Sequence, residues 1–381
     1  MNELKLKLKQ IKEQGLYRTL NEFSASQSKH TTINGKEMLL FSSNNYLEMS
    51  VHPAVKKAAI EVIEAYGVGS GGSRLTTGNY DVHRQLEERI ASFHRTEKAL
   101  VFNTGYMTNV GVISTIADEN FIIYSDELNH ASMIDGCRLS RGKTVVYKHN
   151  DIDDLAEKVQ QYKGKKGLIV TDSVFSMDGD LANLPEIIRI AKEHRLLTMV
   201  DDAHGVGVIG KTGRGISEYF DCGQDIDIKV GTLSKALGSE GGYVCGKADL
   251  IDYLKNIARS FIFSTALSPA VIAASKAAFD VLENDHSLVL KLQDNISYLK
   301  AQLQTLDAPI LAYDSAIMAV IIGGANEAVA LSQALAEEGI YVPAIRPPTV
   351  PANESRLRIT AMASHTKEDI DQLVNALRKM L

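Results

Sequence analysis

Between about residue 100 and residue 246, short apolar, β-rich runs alternate with segments of helical periodicity, the rhythm of a parallel sheet with crossover helices. The pattern predicts strands at 100–102, 121–125, 144–147, 168–172, 197–201, 226–231 and 242–245, seven in all and enough for one large α/β domain. Helical spacing is clearest in Val55, Ala58, Val62 and Tyr66, in Leu86, Ile90 and Phe93, and across 155–159; these segments would cover the sheet. Beyond about residue 270 the texture changes. A helical stretch at about 276–306 precedes apolar runs at 317–322 and 356–360, with helical 327–338 between them, as in a smaller α/β domain. The opening MNELKLKLKQIKEQ sets Leu4, Leu8 and Ile11 among lysines and glutamates, as an amphipathic helix does. The expected division is an N-terminal helix and arm over 1–45, a large domain over 46–270 and a small C-terminal domain over 271–381. No Pro- or Ser-rich linker separates the last two, so they are expected to pack tightly.

Composition narrows the function classes. The longest strictly hydrophobic run, 316–322, has seven residues, against the roughly 20 a membrane helix needs. With no signal-peptide pattern at the start, a cytoplasmic location is expected. Forty-one Lys and Arg against 47 Asp and Glu give a net charge of −6 without a long basic cluster, which argues against nucleic acid. Cys137, Cys222 and Cys245 stand alone in sequence, as reduced thiols do. No histidine falls in a zinc-like pair or in HExxH, so no metal is expected.

The 28 glycines are ordinary in number and uneven in placement: residues 67–78, 205–215 and 231–246 hold five each. Such concentration marks backbone that turns tightly or approaches a ligand. Two windows spell GxGxxG, at Gly67, Gly69 and Gly72 and at Gly205, Gly207 and Gly210. A dinucleotide fingerprint needs a strand just before it and a helix opening within it. Gly67 follows a helical segment, and DDAH intervenes before Gly205, so the context is wrong in both places.

Chemistry gathers elsewhere. Asp201, Asp202 and His204 lie at or just past one predicted strand, and Thr232, Ser234 and Lys235 just past another, where open α/β sheets put ligand-binding groups. A carboxylate, an imidazole and an amine on one edge match the needs of pyridoxal phosphate. The amine condenses with its aldehyde, the carboxylate keeps its pyridine nitrogen protonated, and donors hold its oxygens. Singly, each residue has a plainer reading as a surface charge or a turn cap. FNTGYMTN opens a helix after the 100–102 strand and offers its N-terminal amides to a phosphate, although an ordinary cap would look the same. His130, past the next strand, could stack on a flat ring.

From about Leu39 to the C-terminus the chain resembles the α-oxoamine synthase family of fold-type I pyridoxal phosphate enzymes. The resemblance rests on FSSNNYL, GVGSGGSRLTTGNYDVH, FNTGYMTN, LNHASMIDG, SVFSMDGD, VDDAHGVGVIGKTGRG, GTLSKALGSEGG and RPPTVP, in that order. It implies a fold-type I transferase with a seven-stranded, mostly parallel sheet and a smaller C-terminal α/β domain. It also implies that Lys235 carries the cofactor, Asp201 pairs with the pyridine nitrogen, and His204 and Ser176 bind around the phenolate oxygen. His130 would stack on the ring, and Gly105, Tyr106 and Thr232 would hold the phosphate. Arg346 resembles the family's carboxylate-binding arginine, with Thr349 nearby, and Arg18 and Asn44 match substrate-contacting positions. The catalytic set expected is Lys235, His130, Asp201 and His204.

The stretch AIRPPTVPANESRLRIT looks like the biotin-pathway branch of the family. That branch joins L-alanine to a pimeloyl thioester, on coenzyme A or a carrier protein, with loss of carbon dioxide. A glycine acetyltransferase of the same family is the neighbouring alternative, and a catalytically silent binding module is one from a different class. The family also implies a homodimer, with Gly69 to Arg74 near the interface and the neighbouring active site. Glu48 departs from the family, which often carries glycine after NYL.

Overall fold

The computed structural model describes residues 1–381, the side chain of Asn2 excepted. Two short strands, β1 (His30–Ile33) and β2 (Lys36–Leu40), come first. Seven follow as β3 (Lys98–Phe102), β4 (Phe121–Asp126), β5 (Lys143–Tyr147), β6 (Lys166–Asp172), β7 (Leu197–Asp201), β8 (Ile228–Thr232) and β9 (Gly242–Gly246). The chain closes with β10 (Ile310–Ala312), β11 (Ile317–Gly323), β12 (Ile340–Tyr341), β13 (Ala344–Ile345) and β14 (Ser355–Thr360).

Two compact units result. The larger comprises Leu47–Ser176 and Leu181–Leu290. Its sheet has the order β3-β9-β8-β7-β6-β4-β5, parallel except for β9, which runs antiparallel to both neighbours. All seven predicted strands are present. The central ones are apolar on both faces, as strands covered by helices on both sides must be: Leu168, Val170, Met199, Ile228 and Val230 belong to one core, Tyr124, Ile169 and Tyr147 to another. The order reverses between β4 and β6, and the carboxyl ends of the central strands form the natural place for a ligand.

The smaller unit comprises Met1–Tyr46, Met177–Asp180 and Lys291–Leu381. Here β2 is flanked by β1 and by β12, the latter in parallel although 300 residues separate Leu39 from its partner Ile340 in sequence. A second sheet runs β10-β11-β14-β13. Every residue of β14 is buried, including Arg356 and Arg358, which alternate onto one face. Arg356 pairs with Asp178 and Glu354, holding the Met177–Asp180 segment in this unit.

The helical stretch expected at 276–306 is two helices, Pro269–Asn284 and Ser287–Leu303. Asp285 breaks it by turning its carboxylate onto the Ser287 N–H, a local bond that competes with helix continuation. Glu48, at the position where relatives often carry glycine, has φ of 56° in the left-handed region that glycine occupies without strain. No helix among the described residues is long and apolar enough to cross a membrane.

Candidate active site

Asp201 ends β7, and its Oδ1 accepts the Ala203 N–H at 3.0 Å while Oδ2 accepts from Asn109 Nδ2 at 2.6 Å. Acceptance at both oxygens is the pattern of a carboxylate. The next residue, Asp202, turns away: its Oδ2 takes the Ile216 N–H at 3.0 Å, and burial pushes its carboxyl up to about 7. The loop wraps closely around this carboxyl. A Cβ added to Gly205 or Gly215 would lie 2.0 or 1.9 Å from its oxygens, so glycine is required there for space. His204 follows, and its Nε2 lies 2.8 Å from Lys235 Nζ.

Lys235 sits in the turn between β8 and β9, which is closed by Leu233 N–H to Gly241 O, Ser239 N–H to Leu233 O and Gly238 N–H to Lys235 O. The lysine is half-buried. His130 caps the helix Ala131–Leu139, and its own N–H donates to Asp172 Oδ2 at 2.7 Å. Asp172 stands opposite Asp201 on the neighbouring strand. Burial, reinforced by the Asp201 charge, holds the Asp172 carboxyl well above the ordinary carboxylate range. Burial also lowers the His130 imidazole, with Asp201 opposing and Lys235 adding to the effect. His130, Asp201, His204 and Lys235 therefore converge at the carboxyl end of the larger sheet.

The helix Gly105–Ile116 points its N-terminus at the same strand ends. Thr104 caps it, accepting the Met107 N–H at 3.0 Å. Gly242, opening β9, packs directly on this end: an added Cβ would lie 2.6 Å from both Gly105 N and Gly105 Cα. Gly105 itself faces Thr232, with 3.7 Å from its virtual Cβ to the threonine side chain. Tyr106 is 45% exposed and its hydroxyl donates to Asp135. Ser176 is half-buried, the last residue of the larger unit before Met177.

The other expected residues lie in the smaller unit. Arg18 Nη2 reaches Thr349 Oγ1 at 3.5 Å, and Arg346 Nη1 donates to Gly15 O. Arg18, Arg346 and Thr349 line a cavity of about 710 Å³ together with Ile33, Met38 and Tyr341. Asn44 stands apart from them, its Oδ1 accepting from Arg358 Nη2 at 3.2 Å. No sequence pattern singles out Arg358, Asn109 or Asp172. Each lies within a quoted motif or a predicted strand. Arg358 alternates with Arg356 along the 356–360 run, a pattern that by itself reads as a solvated strand face, so its burial is not legible in the sequence.

The donor set suits pyridoxal phosphate. An amine stands beside an imidazole, a carboxylate accepts at both oxygens, and a helix N-terminus opens next to a threonine, where a phosphate is favoured.

Residues 36–377 match the aminotransferase class I and II family. The chain is 50% identical over 375 residues to an 8-amino-7-oxononanoate synthase of Lysinibacillus sphaericus, covering 98% of this chain and 96% of that one. Among solved structures, serine palmitoyltransferase from S. paucimobilis, with bound PLP and myriocin, superposes with a TM-score of 0.94 at 32% identity, over 99% of this chain and 96% of that one. An 8-amino-7-oxononanoate synthase from Francisella tularensis gives a TM-score of 0.77 at 31% identity, over 90% of this chain and 97% of that one. The chain belongs to the aminotransferase class I and II family, as an α-oxoamine synthase.

Proposed function

We propose that this enzyme joins L-alanine to a pimeloyl thioester, releasing carbon dioxide and the free thiol and forming 8-amino-7-oxononanoate for biotin biosynthesis. The observation that carries the reading is the 50% identity, along nearly the whole chain, to a relative of that name. Pyridoxal phosphate, when bound, supplies an aldehyde that captures the amino group and an electron-poor ring that accepts the electron pair left when the alanine Cα loses its proton.

The chain's residues do the rest. Lys235 Nζ would anchor the cofactor and move the proton at Cα, taking it before the new carbon–carbon bond forms and returning it after carbon dioxide has left. Asp201 would hold the pyridine nitrogen in its protonated form. His204 and Ser176 would bind around the phenolate oxygen, His130 would cover the ring face, and Gly105, Tyr106 and Thr232 would hold the phosphate. Arg346, with Thr349, would orient the carboxylate that is lost, a task for which a planar guanidinium suits better than an ammonium. Arg18 and Asn44 would contact substrate. A cytoplasmic homodimer with Gly69 to Arg74 near the interface completes the proposal.

The test is thiol release from pimeloyl-CoA, pimeloyl carrier protein or acetyl-CoA with L-alanine or glycine. Alanine with a pimeloyl donor should be preferred, by about 10- to 200-fold if the pocket reads one methyl group. Preference for glycine with acetyl-CoA would move the enzyme to the acetyltransferase branch. Borohydride reduction followed by peptide mapping should find the cofactor attached to Lys235.

A further inference from the structure

Asn109, Ser132 and His130 form a chain of hydrogen bonds ending on Asp201 that the chemistry above leaves unassigned. Asn109 Nδ2 lies 2.6 Å from Asp201 Oδ2 and 2.9 Å from Ser132 Oγ. Ser132 Oγ lies 2.7 Å from His130 Nδ1, which also accepts the Ser132 backbone N–H at 3.3 Å. Asn109 and Ser132 are each 1% exposed, so these partners decide where the protons sit.

The direction of the chain follows from its acidic end. A carboxylate offers only acceptors, so the amide of Asn109 must turn its nitrogen to Asp201. This leaves Asn109 Oδ1 buried without a hydrogen-bond partner, an arrangement that burial penalises and that the two acceptors on Nδ2 must outweigh. The second amide N–H then goes to Ser132 Oγ, which accepts it. The hydroxyl hydrogen of Ser132 is left for His130 Nδ1. A histidine's tautomer is set by the hydrogen bond its other nitrogen makes, and Nδ1 here meets two donors.

We propose that Asn109 and Ser132 are positioning residues that read the Asp201 carboxylate and hold His130 with Nδ1 as an acceptor and its proton on Nε2. Burial, with the Lys235 charge adding to it and Asp201 opposing, lowers the proton affinity of the ring, in keeping with a neutral imidazole that holds one proton. The consequence for chemistry rests on the function proposed above: His130 enters as a hydrogen-bond donor through Nε2 and cannot act there as a base without changing tautomer.

The experiment is long-range ¹H–¹⁵N correlation of the full chain labelled at histidine, at pH 7.5, with and without added pyridoxal phosphate. His130→Gln identifies the signal. Without cofactor the spectrum tests the relay alone, whereas cofactor binding and thiol release test the function, so failure of one is separable from failure of the other. Wild type should show Nε2 protonated and Nδ1 unprotonated. Ser132→Ala should move the Nδ1 signal toward that of a nitrogen that has lost its hydroxyl donor. Asn109→Asp places a second carboxyl 2.6 Å from Asp201, where the two must share one proton, and offers Ser132 an acceptor in place of the amide donor, so Ser132 should donate to it and His130 should shift toward the Nδ1–H form. A protonated Nδ1 in wild type would overturn the proposal. So would unchanged His130 signals in a folded Ser132→Ala protein, whatever the fate of Asn109→Asp.

Discussion

Gly105 and Gly242 meet at the start of one helix, yet alanine should destabilise at Gly242 alone and should weaken cofactor binding at Gly105. At Gly242 the added methyl would lie 2.6 Å from Gly105 N and Cα and 2.5 Å from Thr108 Oγ1. Ordinary contacts need about 3.5–4 Å, and a backbone cannot yield as a flexible side chain can. The β9 start and the helix N-terminus must part by about 1 Å, with an overpacking cost of about 1–3 kcal/mol. At Gly105 the methyl meets only Thr232, at 3.7 Å, and alanine is the better helix former by up to about 1 kcal/mol. Gly105→Ala should therefore keep or gain stability. It should still weaken pyridoxal phosphate, because the methyl would occupy the surface proposed to meet the phosphate. Loss of one charge-assisted hydrogen bond is worth about 1.5–3 kcal/mol, or about 10- to 100-fold in affinity. Urea unfolding followed by circular dichroism measures the first quantity, and absorbance titration of cofactor-free protein the second. Wild-type affinity in Gly105→Ala would refute the placement of the phosphate. Wild-type stability in Gly242→Ala would refute the close packing of β9 on the helix.

His365 is buried between Phe41, which it stacks on at 4.1 Å, and two backbone partners, with Nδ1 accepting the Met362 N–H and Nε2 donating to Leu40 O. Burial lowers it to about 4, against 6.5 in the unfolded chain, so its contribution is complete above pH 6.5 and about 3 kcal/mol is lost as pH falls to 4. His365→Gln should flatten the acid limb of urea-unfolding curves by that amount, and an unchanged slope would count against a neutral buried ring. Arg346→Lys should raise KM for L-alanine about tenfold, a loss of roughly 1.4 kcal/mol, with little change in cofactor affinity. Should only Arg358→Lys do so in initial-rate measurements, the carboxylate role passes to the Asn44–Arg358 pair. Arg356→Ala strands Asp178 and should cost about 3–5 kcal/mol in urea unfolding, whereas Arg356→Met with Asp178→Asn should be markedly milder; equal losses would mean the ion pair is not what holds the Met177–Asp180 segment.

Much of the larger unit was legible because its strands are short apolar runs separated by helical spacing, and both patterns are local. Asp201, His204 and Lys235 were legible for the same reason, lying at strand ends that periodicity alone could place. What stayed hidden depends on contacts between distant residues. Asp172 reads as the last letter of a strand, and only its register against Asp201 reveals two carboxylates side by side. Asn109 reads as one more polar residue in a helix until Asp201 and Ser132 are found on its amide. Asn44 and Arg358, 314 positions apart, share no pattern that could announce their hydrogen bond.

The same distances bear on how the protein is made. The chain passes between its two units at four points, after Tyr46, Ser176, Asp180 and Leu290. During synthesis the larger unit can close once residue 290 has left the ribosome. Strand β2, made among the first 40 residues, must wait for Ile340 and Tyr341 before its parallel neighbour exists. Its Met38 and Leu40 can meet Ile33 of β1 early, but the β12 edge and the cover from Ala336 and Tyr341 are missing through most of translation, which at about 5–20 residues per second lasts tens of seconds. A chain released early would expose one side of that strand as an unpaired edge.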